Sequence, residues 1–128
     1  MKTTDMNVKK EIESVVNKLK RYREVRAIVW FGSSLAGSMK PLSDIDIAVI
    51  VENPSKKIEA RIFSSYSDKV DIVNFHKVPL YMQFEILKTG KVLHVNNEAY
   101  LAKLTLTIIR DYLEMSYLYN LRSKRLLA

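Results

Sequence analysis

The chain has 128 residues, 48% apolar and 27% charged, with a net charge of +7. That balance fits one domain around one core and excludes disordered and fibrous classes. It contains no cysteine, which excludes a disulfide-stapled secreted scaffold, a zinc–thiolate site and a cysteine nucleophile. The N-terminal residues hold no apolar stretch of signal-peptide type. No apolar run approaches the roughly 20 residues of a membrane span. The expected compartment is the cytoplasm, with no membrane partner. The basic residues are scattered, so the charge suits phosphate-bearing or acidic partners without marking nucleic acid as the main one.

In chain order, Val8, Ile12, Val15, Val16 and Leu19 recur at helical spacing and predict an amphipathic helix over about Thr4–Tyr22. Val25–Phe31 is a compact run of strand formers ended by Gly32. Gly37 and Pro41 punctuate the following turn. Asp44–Val51 reads as a second strand, and Asn53-Pro-Ser55 breaks the chain. Lys56–Ser67 is read as a helix, with an extended stretch from Arg61 to Tyr66 as the alternative. Lys69–Phe75 is a third strand. Pro79–Lys88 reads as a helix stopped by Gly90 in the manner of a C-cap. Lys91–Val95 is a short strand, and Asn97 to about Arg125 one long final helix. The order implies an α/β (α+β) fold with a mixed sheet flanked by helices. One domain over residues 1–128 is expected, its core at about 25–95 and the long C-terminal helix at about 97–125.

Three features of this layout carry chemistry. Gly32, Ser33 and Ser34 follow a strand directly. A glycine there admits a phosphate close to the backbone, and the free N–H groups and hydroxyls after it suit an anion. Asp44 and Asp46 lie two apart at a strand start and share one face, which continues as Ala48 and Ile50. Ile45, Ile47, Val49 and Val51 form the other face, so the strand reads as buried on both sides. Two carboxylates on such a face repel and lose hydration, and a hard divalent cation, Mg²⁺ or Mn²⁺, offsets both effects. Asp71 is a third carboxylate on an apolar strand face, shared with Val73 and Phe75. With that strand beside the Asp44 strand, three carboxylates converge next to a phosphate-cradling turn, the composition of a two-metal phosphoryl-transfer site.

Gly32-Ser33, ten residues, then Asp44-x-Asp46 resembles the signature of the polymerase-β-like nucleotidyltransferase superfamily. The segment from Phe31-Gly-Ser to Asp44-Ile-Asp-Ile-Ala-Val49 is similar to its minimal nucleotidyltransferase (MNT) branch. Phe84 to His94 resembles a helix–glycine–strand piece of that branch. The likeness spans about Val25 to His94 and departs at Ala36, where many relatives carry arginine.

The resemblance implies a nucleotidyltransferase fold. It also implies that Gly32, Ser33 and Ser34 hold the triphosphate of ATP, while Asp44, Asp46 and Asp71 are catalytic and bind two Mg²⁺ ions. The implied reaction moves NMP, AMP from ATP, onto a hydroxyl with release of pyrophosphate. Free-standing MNT proteins are often encoded beside HEPN-domain toxins and act as their antitoxins, so the implied acceptor is a tyrosine of a HEPN partner. The alternatives are an antitoxin acting by binding alone and a transferase for a small molecule such as an aminoglycoside.

The last helix has two readings: a partner or a second copy covers part of it, hence a homo- or hetero-oligomer, or the domain wraps it in its own core. Its apolar residues, from Leu101 to Leu121, cover more of the circumference than the roughly 100° stripe that one packed face needs. His76 and His94 each close an apolar run and read as surface or capping residues. Glu85 reads as a solvated helix residue, and Trp30 as core near the phosphate turn.

Overall fold

The computed structural model describes residues 2–32, 45–64 and 69–127. In order it forms α1 (Lys2–Leu19), β1 (Val25–Phe31), β2 (Ile45–Val51), α2 (Lys56–Ile62), β3 (Val70–Asn74), a 3₁₀ turn (Phe75–Lys77), α3 (Leu80–Thr89), β4 (Lys91–Val95) and α4 (Glu98–Leu127). The strands form one mixed sheet in the order β3-β2-β1-β4. β1 lies antiparallel to both β2 and β4, and β2 runs parallel to β3. The sequence-based order of elements holds throughout these residues.

The alternation in β2 divides the interior in two. Ile45, Ile47, Val49 and Val51 meet Ile12, Val15 and Leu19 of α1 and Ile62 of α2 on one face. Ala48 and Ile50 meet Ala27, Val29 and Phe31 of β1, Ile86 of α3 and Ile108 of α4 on the other. Helices thus cover both faces of the sheet, which is why β2 is a nearly unbroken apolar run.

Element ends differ from the sequence reading for local reasons. α1 stops at Leu19 rather than Tyr22, and the Tyr22 N–H turns back to the Leu19 carbonyl at 3.1 Å. α2 is helical, as favoured, but ends at Ile62. Its start is capped by the Ser55 hydroxyl, which accepts the Ile58 N–H at 3.2 Å. β3 ends at Asn74 instead of Phe75 because the Asn74 side chain accepts the His76 N–H at 3.0 Å and starts the 3₁₀ turn. Asn97 caps α4 by accepting the Tyr100 N–H at 2.9 Å. Gly90 does close α3, though not through a left-handed cap, since its φ is −73°. A Cβ at this position would overlap the Ile86 carbonyl oxygen and the Val29 side chain. Close approach of α3 to β1, rather than backbone handedness, requires the glycine.

The sheet end at Val51 is pinned by polar contacts. Arg26 sits in a bulge of β1 between Val25 and Ala27. It donates to Glu52 at 2.8 Å and to Asn96 at 3.4 Å, tying the loops after β2 and β4 to β1. The Tyr100 hydroxyl donates to the Val51 carbonyl at 3.3 Å. Burial, reinforced by the charge of Glu52, raises the pKa of that phenol. His76 Nε2 accepts the Val51 N–H at 3.1 Å, so the imidazole must be neutral there. Although much of the ring is exposed, the inward placement of Nε2 lowers its pKa by desolvation.

Two stability predictions follow from this end of the sheet and from Gly90. Gly90→Ala should cost about 1–3 kcal/mol of unfolding free energy, as overpacking does, measured by urea denaturation. A histidine whose folded pKa lies below its unfolded value stabilises fully above the unfolded value and less as pH falls through it. Stability should therefore decline as pH drops below about 6.5, the ordinary histidine value. His76→Gln, whose amide oxygen can still accept from Val51, should weaken that decline in urea titrations between pH 5 and about 8.

Candidate active site

The carboxylates are placed by strand register. β2 and β3 pair in parallel with Ile45 opposite Val70, Asp46 opposite Asp71 and Ile47 opposite Ile72. Neighbouring strands lie about 4.8 Å apart and residues in register share a face. Asp46 and Asp71 therefore stand side by side on the α3/α4 face, at the end where its apolar layer stops. Asp46 is half-buried and Asp71 exposed. Two unit charges about 5 Å apart repel by about 1 kcal/mol in water and by more where water is partly excluded.

Gly32 completes the group from the other side. Phe31, the last residue of β1, is the cross-strand partner of Asp46. The chain then leaves the strand at Gly32 with φ of +90°. A Cβ on Gly32 would lie 2.6 Å from Asp46 Oδ2. The glycine thus serves two purposes: its backbone is in the region that L side chains avoid, and its missing side chain leaves room for the Asp46 carboxylate. The sequence supplied a different reason, backbone access for a phosphate, and gave no sign of the contact with Asp46.

Ser33, Ser34 and Asp44 lie outside the described residues, as does Ala36. The other site residues named from the sequence, Gly32, Asp46 and Asp71, come together. Among the described residues no group of three His, Cys, Asp or Glu side chains is arranged to hold a metal. The donor chemistry nonetheless suits a hard cation: two carboxylates on adjacent strands beside a position where a Cβ cannot stand. A metal bound there would be ligated by Asp46 and Asp71.

The remaining candidates fall elsewhere. His76 is at the opposite end of β2, on the Val51 N–H. His94 pairs with Ile28 in the sheet, and its Nε2 is buried without a hydrogen-bond partner among the described residues. Burial and the charge of Lys20 lower its pKa. Trp30 packs against the α1/α2 core, on the face away from Asp46. Glu85 is exposed on α3. None of the four belongs to the carboxylate site.

The profile of the family described as "Polymerase beta, Nucleotidyltransferase" matches residues 13–99. No curated protein sequence matches the chain. A chain of a toxin–antitoxin crystal structure with AMP-PNP has a TM-score of 0.66 and 18% identity, covering 93% of this chain and 98% of that one. A chain of the MntA–HepT toxin–antitoxin structure has a TM-score of 0.59 and 17% identity over 93% of this chain and 96% of that one. A chain from the complex of tri-AMPylated Shewanella oneidensis HEPN toxin with MNT antitoxin has a TM-score of 0.60 and 17% identity, with full coverage of both chains. At these identities the likeness establishes the fold.

Gly32→Ala should destabilise the protein by about 1–3 kcal/mol, from the left-handed backbone together with the displaced carboxylate. Urea denaturation measures the cost. Stability unchanged within 0.5 kcal/mol, as at an ordinary surface site, would show that Asp46 does not constrain this position.

Proposed function

Because this chain belongs to the polymerase-β nucleotidyltransferase family, we propose that it transfers AMP from ATP to a tyrosine hydroxyl of a HEPN-domain toxin and so acts as its antitoxin. The observation that carries the reading is the Asp46–Asp71 register beside Gly32. The nucleotide and the toxin enter from the fold relatives, one holding AMP-PNP and another paired with an AMPylated HEPN toxin.

In this reading Gly32, Ser33 and Ser34 receive the triphosphate, because backbone N–H groups after a strand and a missing Cβ allow close contact with an anion. Asp44, Asp46 and Asp71 hold two Mg²⁺ ions, with Mn²⁺ as the alternative metal. Bound there, the ions supply charge neutralisation for the attacking and leaving oxygens of an in-line displacement. The protein's own contribution is positional. The parallel register fixes Asp46 and Asp71 relative to each other, and the rigid two-core sheet beneath them resists their mutual repulsion. The tyrosine hydroxyl gives up its proton to water as its oxygen bonds to the α-phosphorus, the bond from that phosphorus to the α,β-bridging oxygen breaks, and pyrophosphate leaves.

No helix among the described residues is long and apolar enough to cross a membrane. A toxin–antitoxin role of this kind belongs in the cytoplasm.

The test is incubation with α-labelled ATP and Mg²⁺, with and without a HEPN-domain toxin from the same organism. Label should pass to that protein with the wild type. Asp46→Asn and Asp71→Asn should each lower the rate at least about 100-fold, the scale at which removing a charge-stabilising group acts. Both variants should still form the complex. Complex formation without any transfer by the wild type would leave an antitoxin that neutralises by binding alone.

A further inference from the structure

α4 carries two apolar lines on opposite sides, and the fold uses only one. At 100° per residue, Leu101, Leu104 and Ile108 fall on one side and pack into the sheet. Tyr112 continues that side and stacks on Phe84 of α3, ring centroids 4.0 Å apart and planes 5° from parallel. Half a turn away lie Leu106, Ile109, Leu113, Tyr117 and Leu121, at spacings of three and then four residues. All five are exposed, Leu106 at 69%, Leu113 at 59% and Tyr117 at 64%. The line is about 22 Å long at 1.5 Å per residue. A tyrosine and four aliphatic side chains repeating in this way make the seam of a helix pair rather than a solvated face.

The charges along the seam select its occupant. Lys103, Arg110 and Lys124 fall on the same side of the helix as the five apolar residues and Arg125 at its edge, four cations against the two carboxylates Glu98 and Glu114. Arg110 also reaches Asp111 at 3.3 Å on its flank. A second copy is a poor match. Packed in parallel, each of these cations would meet its own counterpart. Packed antiparallel about the middle of the seam, Lys103 of one copy would face Lys124 of the other. Each chain also carries a net charge of +7, and like charges across an interface are selected against. An acidic helix of a different protein satisfies both the apolar line and its cations.

We propose that this outer line of α4 is a docking seam for an acidic helical surface of the acceptor protein. The proposal rests on the HEPN-acceptor reading. α4 covers the same face of the sheet that Asp46 and Asp71 occupy. A partner seated on it approaches from the side on which the carboxylates stand.

The experiment uses the full chain and a HEPN-domain toxin from the same organism. The triple variant Leu106→Gln/Leu113→Gln/Tyr117→Gln keeps helix-forming residues and touches no core position. Calorimetry should show the partner bound at least about 100-fold more weakly than by the wild type, as loss of central apolar anchors does. Binding of AMP-PNP with Mg²⁺ should be unchanged in the same variant. Reversing Lys103, Lys124 and Arg125 to glutamate should slow association and remove its salt dependence. Wild-type affinity in the triple variant would overturn the seam while leaving the transferase reading intact. A wild type that binds no HEPN protein would overturn the seam and the proposed acceptor together. A wild-type homodimer in light scattering that the triple variant makes monomeric would assign the seam to a second copy and overturn the proposal.

Discussion

The register of one strand governs this structure. β2 must bury alternate residues in two separate cores, so it cannot slide by one position without exchanging Ile47 and Val49 for Ala48 and Ile50 across the sheet. A slip would also carry Asp46 from the α3/α4 face into the α1/α2 core, where an uncompensated carboxylate is costly. Hydrophobic burial in the middle of the strand thereby fixes the position of a charge at its end. The pairing of Asp46 with Asp71 follows from the same constraint, since β3 is held alongside by Val70 in one core and Val73 against the other.

The two ends of the sheet are built differently. At the Val51 end every contact described is between groups that satisfy one another: Arg26 with Glu52 and Asn96, Tyr100 with the Val51 carbonyl, His76 with the Val51 N–H. At the Asp46 end the register collects groups of one sign beside a glycine that has given up its side chain. Two carboxylates side by side at an open backbone position are an arrangement that a ligand can use. The settled end supplies the rigidity that lets the other end hold two carboxylates together.

Period and punctuation made most of the fold legible in the sequence. Alternation in Asp44–Val51 gave the two-sided burial of β2, and the 3.6-residue rhythm of Val8, Ile12, Val15 and Leu19 gave α1. The face shared by Asp71 and Val73 was readable for the same reason. What escaped were contacts between distant positions. Nothing around Gly32 announces Asp46 Oδ2, and nothing around Gly90 announces Val29. His76 read as a surface cap, whereas it accepts a backbone N–H 25 residues away. Boundaries slipped where a side chain competed with the backbone, as Asn74 does at the end of β3. Ser33, Ser34 and Asp44 lie outside the described residues.

The excess of apolar residues in the last helix was visible in the sequence, but its meaning was not. Periodicity alone cannot separate a helix wrapped by its own domain from one with a second partner, because both require more than one stripe. The fold separates them. Ile108 and the Phe84–Tyr112 stack account for one side of α4 as far as Tyr112, and among the described residues no further element lies over the other. A chain of this size buries a smaller share of its surface than a larger domain does. An apolar line that its own core cannot reach then persists only if something outside the chain covers it. Position decides what such a cover is for: the line belongs to the helical layer on the carboxylate side of the sheet, so the partner that buries it is brought to the face where Asp46 and Asp71 stand.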